Sequence, residues 1–381
     1  MKRVQYFFFA FLSISSFVFA QNYHSFFPGQ LWNDNKGVHI NAHGGGILFN
    51  NGIYYWFGEH KIEGEAGNQA RVGVHCYSSK DLYNWKDEGI VLKVDTMKGS
   101  RLESGCIIER PKVIYNAKTK KYVMWFHYEQ KGMGYQRAAS GVAISNKPTG
   151  MFRLVRLFRP DAGIWPINVL SMHKNIKFNS IGAKFDGGYC SNDVDSINFV
   201  GRDFKDGQMA RDMNLFVDDD KKAYLIYSSE ENSTLHISLL SDDYLSTVGK
   251  WVRVFPGKYN EGAAMFKRKG KYYLFTSACT GWNPNPGRCA VANHIFGPWK
   301  ELGNPCVDKD SETTYHSQST YVLPVAGKKD AFIFMGDRWT PQNAIDGRYV
   351  WLPIEFRGDK PILKWYEEWN LNRFEDTLHK K

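Results

Sequence analysis

Five polar residues stand at the openings of five short apolar segments, and three of them carry carboxyl groups. The openers are His43 (or the nearby Asn41), Glu109, Asp212, Glu261 and Gln318. If these segments converge, neighbouring carboxylates repel one another, and the pKa of at least one carboxyl group rises. A carboxylic acid that stays protonated near neutral pH can act as a general acid. A single acidic residue at a strand start most simply solvates the chain end, but three at equivalent places indicate acid–base chemistry.

Aromatic side chains form a second group of candidates, because they follow or close the same segments. Trp56, Tyr128, Tyr135, Trp282 and Trp339 are expected on the rim of the site. With 12 Trp, 21 Tyr and 26 Phe in the chain, most aromatic residues must belong to the core. Trp282 is favoured as a platform for a sugar ring, since its segment TGWNP is typical of a loop. Two carboxyl groups in different environments beside such rings indicate glycoside hydrolysis.

The elements that must position these residues are short strands, since the chain shows almost no helical periodicity. Runs of Tyr, Phe, Val and Ile are bounded by Gly, Asn and Asp, which is typical of antiparallel hairpins. One unit recurs: a polar opener, an apolar strand, a turn and an aromatic-rich return strand, followed by a second hairpin. The units begin at His43, Glu109, Asp212, Glu261 and Ser317. Five such units predict an all-β, five-bladed β-propeller as a single catalytic domain over residues 21–381.

The third unit begins later than the other spacings lead one to expect, so we predict an insertion between blades 2 and 3, around residues 160–205. Its stretch FDGGYCSNDVDS is rich in loop-forming residues. Long loops of this kind often carry function. We therefore expect the insertion to lie on the face of the propeller that holds the site.

The overall composition is that of an ordinary globular protein, with 43% hydrophobic and 23% charged residues. The formal net charge of +10 arises from scattered residues, so no nucleic acid partner is expected. Residues 1–20 (MKRVQYFFFAFLSISSFVFA) have the basic start, apolar middle and small-residue end of a signal peptide. No later segment is long and apolar enough to span a membrane. We expect an exported protein, either periplasmic or secreted.

Six cysteines are present, an even number that is compatible with up to three disulfide bridges in an oxidising compartment. Cys279 and Cys289 flank a loop rich in Gly, Pro and Asn, so they are candidates to pair across it. No spacing of Cys and His residues is typical of a zinc site. The sequence predicts neither a metal nor a cofactor.

Several blocks of the chain resemble glycoside hydrolase family 43, and specifically its branch of exo-β-1,3-galactanases. The blocks are VHINAHGGGI, YYWFGEHK, SGCIIERPKVIYN, ARDMNLFVDDD, YLIYSSEEN, EGAA at residues 261–264, TSACTGWNPN and HSQSTYVLP. Together they cover nearly all of the chain after residue 20. The resemblance implies a five-bladed propeller that removes galactose from β-1,3-galactan, the backbone of arabinogalactan, with inversion at the anomeric carbon.

The resemblance also implies roles for four of the openers. Glu261 matches the general acid, and Asp212 matches the carboxylate that orients this acid and tunes its pKa. Most of the family has an Asp on the first blade as catalytic base, whereas this chain has AHG at residues 42–44. The galactanase branch shares this departure, and there a glutamine on the fifth blade is thought to hold the water, a position that Gln318 matches. Glu109 matches a substrate-binding carboxylate and is the alternative candidate for the base.

Contacts with the sugar are implied for a further set of residues. They are Glu59, Tyr135, Asn232, Thr280 and Trp282, with Tyr128 as a competitor for the role of Tyr135. The insertion and the residues flanking Glu261 differ from the pattern of the fungal members of this branch. These differences affect the expected substrate more than the expected class of reaction. An arabinofuranosidase or galactofuranosidase of the same family, or a sugar-binding propeller without catalysis, are the alternatives. In each case the partner is a polysaccharide or oligosaccharide.

Overall fold

Five antiparallel sheets, each of four strands, make up the fold. The computed structural model describes residues 22–64 and 67–376, so the predicted signal peptide at residues 1–20 lies outside the described residues. In every sheet the four strands follow one another along the chain. The predicted all-β, five-bladed propeller is confirmed. Within the described ranges, none of the helices has the length and apolar character needed to cross a membrane.

Each blade is a meander of four strands joined by turns. Blade 1 contains β1 (His43–Asn50), β2 (Ile53–His60), β3 (Gly73–Ser79) and β4 (Lys86–Lys93). Blade 2 contains β5 (Ile107–Asn116), β6 (Lys121–Glu129), β7 (Ala139–Ser145) and β8 (Arg153–Phe158). Blade 3 contains β9 (Met213–Val217), β10 (Ala223–Ser229), β11 (Thr234–Leu240) and β12 (Thr247–Val254). Blade 4 contains β13 (Asn260–Arg268), β14 (Lys271–Ala278), β15 (Arg288–Ala292) and β16 (Lys300–Gly303). Blade 5 contains β17 (Gln318–Pro324), β18 (Phe332–Arg338), β19 (Arg348–Arg357) and β20 (Lys360–Leu363).

The first strands of the five blades form a closed ring. Strand β1 contacts β5 and β17, β9 contacts β5 and β13, and β13 contacts β17. The core consists of apolar clusters, and the one that joins blades 1 and 5 includes Trp56, Trp85 and Trp351. Trp56 is thus a core residue rather than part of the rim. The hairpin between β1 and β2 turns at Asn51 and Gly52, whose φ angles of 51° and 80° are those a type I′ turn requires.

The predicted insertion lies between β8 and β9. It contains the short helices α1 (Ser171–Asn175), α2 (Val194–Ile197) and α3 (Phe199–Arg202), while α4 (Arg373–Asp376) follows blade 5. Two ion pairs join the insertion to blade 3: Arg253 contacts Asp195 at 2.7 Å, and Glu231 contacts Arg202 at 2.8 Å. These contacts fix the insertion on the propeller.

The two ends of the described chain meet beside blades 1 and 5. Phe26 and Trp369 form an antiparallel bridge, with backbone N···O distances of 2.7 and 3.1 Å. Their rings stack with centroids 4.4 Å apart. The ring of blades is therefore closed by this bridge and by the packing of blade 1 against blade 5, since each sheet is made of consecutive strands only.

All six cysteines are free, so the candidate pair of Cys279 and Cys289 does not form a disulfide. Cys289 lies opposite Phe275 in the ladder between β14 and β15. Cys279 follows Phe275 by four residues, which at about 3.3 Å per strand residue corresponds to about 13 Å. That separation is too large for a disulfide, whose Cα atoms lie within about 7 Å.

Candidate active site

The first strands open into a cavity of about 620 Å³. Every blade and the insertion contribute to its wall. The lining side chains with polar or aromatic groups include Glu59, Asn68, Glu109, Arg110, His127, Tyr135, Asp186, Arg211, Asp212, Asn232, Glu261, Cys279, Trp282, Gln318 and Trp339. The openers of blades 2 to 5 therefore meet in one place, as predicted. The insertion reaches the cavity with Asp186, Gly187 and Gly188.

Four of the first strands have a local irregularity close to their openers. The register shifts between His43 and Gly46, between Glu109 and Lys112, between Glu261 and Ala264, and between Ser319 and Tyr321. A bulge at this point takes a residue out of the regular ladder and redirects its side chain. The openers of blades 2, 4 and 5 line the cavity beside these irregularities, whereas His43 in blade 1 does not.

Glu261 has the environment of a general acid. Its Oε1 accepts a hydrogen bond from Nδ2 of Asn232 at 2.8 Å, and Sγ of Cys279 lies 3.1 Å from the same oxygen. Removal from water, and then the negative charge of Asp212, raise the pKa of Glu261 to about 7. This carboxyl group is therefore largely protonated in mildly acidic solution.

Asp212 is held beside Glu261 by two contacts. Its Oδ2 accepts a hydrogen bond from the backbone N–H of Gly262 at 2.9 Å and lies 3.0 Å from Nη2 of Arg110. Because Gly262 is the residue after Glu261, the first contact ties the start of blade 3 to the start of blade 4. Asp212 is thus placed to orient the acid and to influence its charge.

Glu109 belongs to a buried chain of charged side chains. Its Oε2 lies 2.7 Å from Nδ1 of His127, whose Nε2 lies 2.8 Å from Oε1 of Glu129. Burial alone would raise the pKa of Glu109, but the hydrogen bond and charge of His127 lower it below its usual range. The other oxygen of Glu109 accepts a hydrogen bond from Tyr135 at 2.8 Å. Glu109 is therefore an anion at neutral pH, and protein groups contact both of its oxygens.

Glu59 and Tyr135 lie on the same side of the cavity. Glu59 pairs with Lys61 at 2.6 Å, and its Oε1 accepts a hydrogen bond from the backbone N–H of Arg110 at 3.0 Å. The hydroxyl of Tyr135 accepts a hydrogen bond from Nδ2 of Asn68 at 2.8 Å. These contacts join blades 1 and 2 in a continuous polar wall.

Gln318 is held at both ends of its amide. Its Nε2 donates to Oγ of Ser277 at 2.9 Å, and its Oε1 accepts a hydrogen bond from Arg110. In the lining of the same cavity, the rings of Trp282 and Trp339 meet edge to face with centroids 6.0 Å apart. Trp282 is 45% exposed, so a large part of its ring remains free to contact a ligand.

Two of the predicted sugar contacts lie away from the cavity. Tyr128 packs in the core between blades 1 and 2 and is 5% exposed. It stands next to His127 on β6, and side chains alternate along a strand, so His127 rather than Tyr128 lines the cavity. Thr280 is exposed, and its hydroxyl bonds the carbonyl oxygen of Asn283 at 2.6 Å within its own loop.

Residues that the sequence did not single out complete the site. Arg110 contacts two openers, and His127, which also pairs with Glu129, supplies the counter-charge of Glu109. A signal for the latter exists in the sequence, because His127 and Glu129 are polar residues at alternate positions of an otherwise apolar strand. No comparable pattern marks Arg110. His43, the opener of blade 1, is fully buried beside Trp339 and is not among the residues that line the cavity.

A carboxyl group with a raised pKa beside a carboxylate, in a propeller cavity that an exposed tryptophan also lines, is the arrangement of a glycoside hydrolase. Residues 195–350 match the family model for glycosyl hydrolases family 43. A solved family 43 β-1,3-galactosidase with galactodeoxynojirimycin is 50% identical, with a TM-score of 0.85, over 91% of this chain and 100% of that one. The chain belongs to glycoside hydrolase family 43.

Further solved structures agree with this assignment. An exo-β-1,3-galactanase from Clostridium thermocellum is 36% identical over 90% of this chain and 66% of that one, with a TM-score of 0.73. An exo-β-1,3-galactanase from Phanerochaete chrysosporium with β-1,3-galactotriose is 29% identical over 92% of this chain and 69% of that one, with a TM-score of 0.73. The chain thus spans about two thirds of the length of these two enzymes. No match was found among curated proteins.

Proposed function

We propose that this protein is an inverting exo-glycosidase that removes galactose from β-1,3-galactan, the backbone of arabinogalactan. The observation that carries the proposal is the bond from the backbone N–H of Gly262 to Asp212, which places the carboxyl groups of Asp212 and Glu261 side by side in a cavity lined by all five blades. The similarity to enzymes described as β-1,3-galactosidases and exo-β-1,3-galactanases supports galactose as the sugar that is released.

In the proposed reaction, Glu261 donates its proton to the glycosidic oxygen as the bond to the anomeric carbon breaks. A water molecule attacks the same carbon from the opposite face, so a β-linkage yields α-galactose. Asp212 keeps Glu261 oriented. Removal from water and the charge of Asp212 raise the pKa of Glu261 to about 7, so a large part of the acid carries its proton at neutral pH. After one turnover, Glu261 is ionised and regains a proton from solvent.

The proton of the attacking water needs an acceptor, and we propose that Gln318 holds this water. Glu109 is the weaker candidate for the base, because His127 lowers its pKa and protein groups contact both of its oxygens. Glu109 is instead suited to accept hydrogen bonds from sugar hydroxyl groups. An amide nitrogen has no available lone pair, so Gln318 takes the proton of the water on Nε2 only as its imidic acid tautomer, and it returns to the amide as the proton on Oε1 passes to solvent. The contacts with Arg110 and Ser277 hold the amide in place for that role.

Release of galactose from native and debranched arabinogalactan, with the anomer followed by NMR, tests the proposal. We expect α-galactose to appear first, Gln318→Ala to leave only a small residual rate of release, and Glu109→Ala mainly to raise KM. Glu301→Gln, on the exposed outer strand of blade 4, is the matched control. If neither polymer releases galactose, arabinofuranosides and galactofuranosides are the next substrates. Binding of galactan without turnover of any of them, unchanged in Glu261→Gln, would identify a sugar-binding propeller instead.

We also propose that the protein is exported to the periplasm or secreted. The basic, apolar and small-residue regions within residues 1–20 support this proposal. Cell fractionation followed by N-terminal sequencing tests it. We expect a mature chain that begins at Gln21, whereas an intact chain that starts at Met1 in the cytoplasm would refute export.

A further inference from the structure

Arg110 is a buried cation in the floor of the cavity that touches two of the proposed functional side chains. Its Nη2 donates to Oε1 of Gln318 and lies 3.0 Å from Oδ2 of Asp212. Its Nη1 donates to the carbonyl oxygen of Ser319 at 3.1 Å, and the guanidinium lies 5.7 Å from the ring centroid of Trp339. One side chain of blade 2 therefore connects Asp212 of blade 3 with Gln318 of blade 5.

The backbone of Arg110 has a conformation that residues with side chains rarely adopt. Its φ is +53°, in the left-handed region. The equivalent position, directly after the opener, is occupied in blades 1 and 4 by Gly44 and Gly262, each with a φ of 59°. Glycine would adopt this conformation without steric strain, yet blade 2 has an arginine there. Strained residues of this kind cluster at functional sites.

The surroundings of Arg110 keep it charged. Burial opposes the charge, but four carboxyl groups outweigh it and raise the pKa of Arg110; they belong to Asp212, Asp337, Glu59 and Glu109. The neighbouring Lys112 behaves differently, since burial and the charge of Arg110 lower its pKa to about 7. Arg110 is thus a permanent positive charge in the cavity.

We propose that Arg110 is the positioning residue of this site: it fixes the Gln318 amide with its oxygen toward the guanidinium and holds Asp212 next to Glu261. This inference rests on the proposed function. With Oε1 bound to Arg110 and one Nε2–H directed at Ser277, the amide is held against rotation. The nitrogen end of Gln318 then keeps a single position relative to the attacking water. The same guanidinium keeps the Asp212 carboxylate from turning away from Gly262.

Arg110→Gly is the informative variant, because glycine already occupies the equivalent position in blades 1 and 4. The fold should therefore survive the change. We expect kcat to fall about 100-fold with KM little changed, as misplaced catalytic groups typically produce. Lys269→Gly is the matched control, since Lys269 also has a left-handed backbone (φ 49°) but lies in the turn between β13 and β14. Its kcat should equal that of the wild type.

Chemical rescue gives a readout that a purely structural role would not show. Millimolar guanidinium should raise the kcat of Arg110→Gly at least tenfold. Urea, which has a similar shape but no charge, should not.

The pH profile gives a second readout. The charged or titratable groups that act on Glu261 are Asp212, Cys279, Arg110 and Arg211. Because Arg110 lowers the pKa of Glu261, its loss should move the basic limb to higher pH, and guanidinium should move it back.

A double-mutant cycle tests whether Arg110 acts through Gln318. Arg110→Gly combined with Gln318→Ala should lower kcat by less than the product of the two single effects. Full activity of Arg110→Gly, equal rescue by urea, or strictly multiplicative effects would overturn the inference while leaving the galactosidase proposal intact. Failure of the wild type to release galactose would instead refute the proposed function.

Discussion

The thiol of Cys279 lies 3.1 Å from Oε1 of Glu261, on the oxygen that already accepts a hydrogen bond from Asn232. Because two donors serve Oε1, the proton of the carboxyl group is directed to Oε2. This arrangement leaves the acidic proton available to a glycosidic oxygen. The thiol itself is a weak nucleophile, since burial raises its pKa above the usual range.

Replacement of Cys279 should therefore change the pKa of Glu261 while the general acid itself remains in place. The hydrogen bond from the thiol lowers the pKa of Glu261, so Cys279→Ala should move the basic limb of the kcat/KM profile to higher pH. Cys279→Ser retains a donor and should leave the limb near its wild-type position. Cys190→Ala is the control, because Cys190 does not line the cavity. Identical profiles for the Ala and wild-type enzymes would contradict this role.

The pH dependence of the wild type should reveal the protonated state of Glu261. Since the pKa of this acid is raised to about 7, its protonated fraction decreases as the pH rises through that value. We expect kcat/KM to fall above about pH 7, and Glu261→Gln to lose about 10²- to 10⁴-fold in kcat. The residual activity of the variant should lack the limb near pH 7. Persistence of that limb in Glu261→Gln would assign it to another group.

Tyr135 and Tyr128 offer a matched pair of variants. Tyr135→Phe removes the hydroxyl that donates to Glu109, so KM should rise several-fold while the fold is retained. Tyr128→Phe changes a residue packed in the core between blades 1 and 2, and its kinetics should match the wild type. Steady-state kinetics on β-1,3-galactobiose would check both. A larger KM effect from Tyr128→Phe would show that the sugar approaches from another side.

His127 should be essential for stability, because it is a buried cation between two carboxylates. Its removal in His127→Gln leaves Glu109 and Glu129 without their counter-charge, which should cost about 3–5 kcal/mol in the free energy of unfolding. Burial alone would lower the pKa of His127, but the two partners raise it to about 10. Its stabilising effect is therefore complete below the ordinary value of 6.5 and is lost as the pH rises through 10.

Urea unfolding of the wild type and His127→Gln at pH 6, 8 and 10.5 measures this effect. The difference between the two should shrink at the highest pH. His24→Gln, an exposed substitution, provides the baseline. A difference that does not change with pH would indicate that packing, rather than charge, is the contribution of His127.

The architecture could be predicted from the sequence because each blade is specified locally. An opener, an apolar strand, a turn such as Asn51-Gly52 and an aromatic return strand lie within about twenty residues of chain, and the pattern repeats. The first strands start at or within two residues of the predicted openers, as with β13 at Asn260 and β17 at Gln318. Convergence of the openers then follows from the geometry of a propeller.

Details of the site depend on register and on contacts between distant segments, which a single sequence does not display. The choice between Tyr128 and Tyr135 depends on which face of β6 meets the cavity. The hydrogen bond from Arg110 to Gln318 joins residues 208 positions apart, and no local sequence pattern predicts it. The failure of Cys279 and Cys289 to pair has the same origin, since the length of β14 sets their separation.

The bridge between Phe26 and Trp369 has a consequence for how the chain can be rearranged. In the described residues each sheet is cut from one continuous stretch of chain, and no blade borrows a strand from the opposite end. The bridge brings the two ends together without weaving them into a shared sheet. A circular permutant that joins these ends by a short linker and opens at an exposed turn between blades would therefore disrupt no blade. The order in which the blades follow one another along the chain could then change while the propeller itself stays the same.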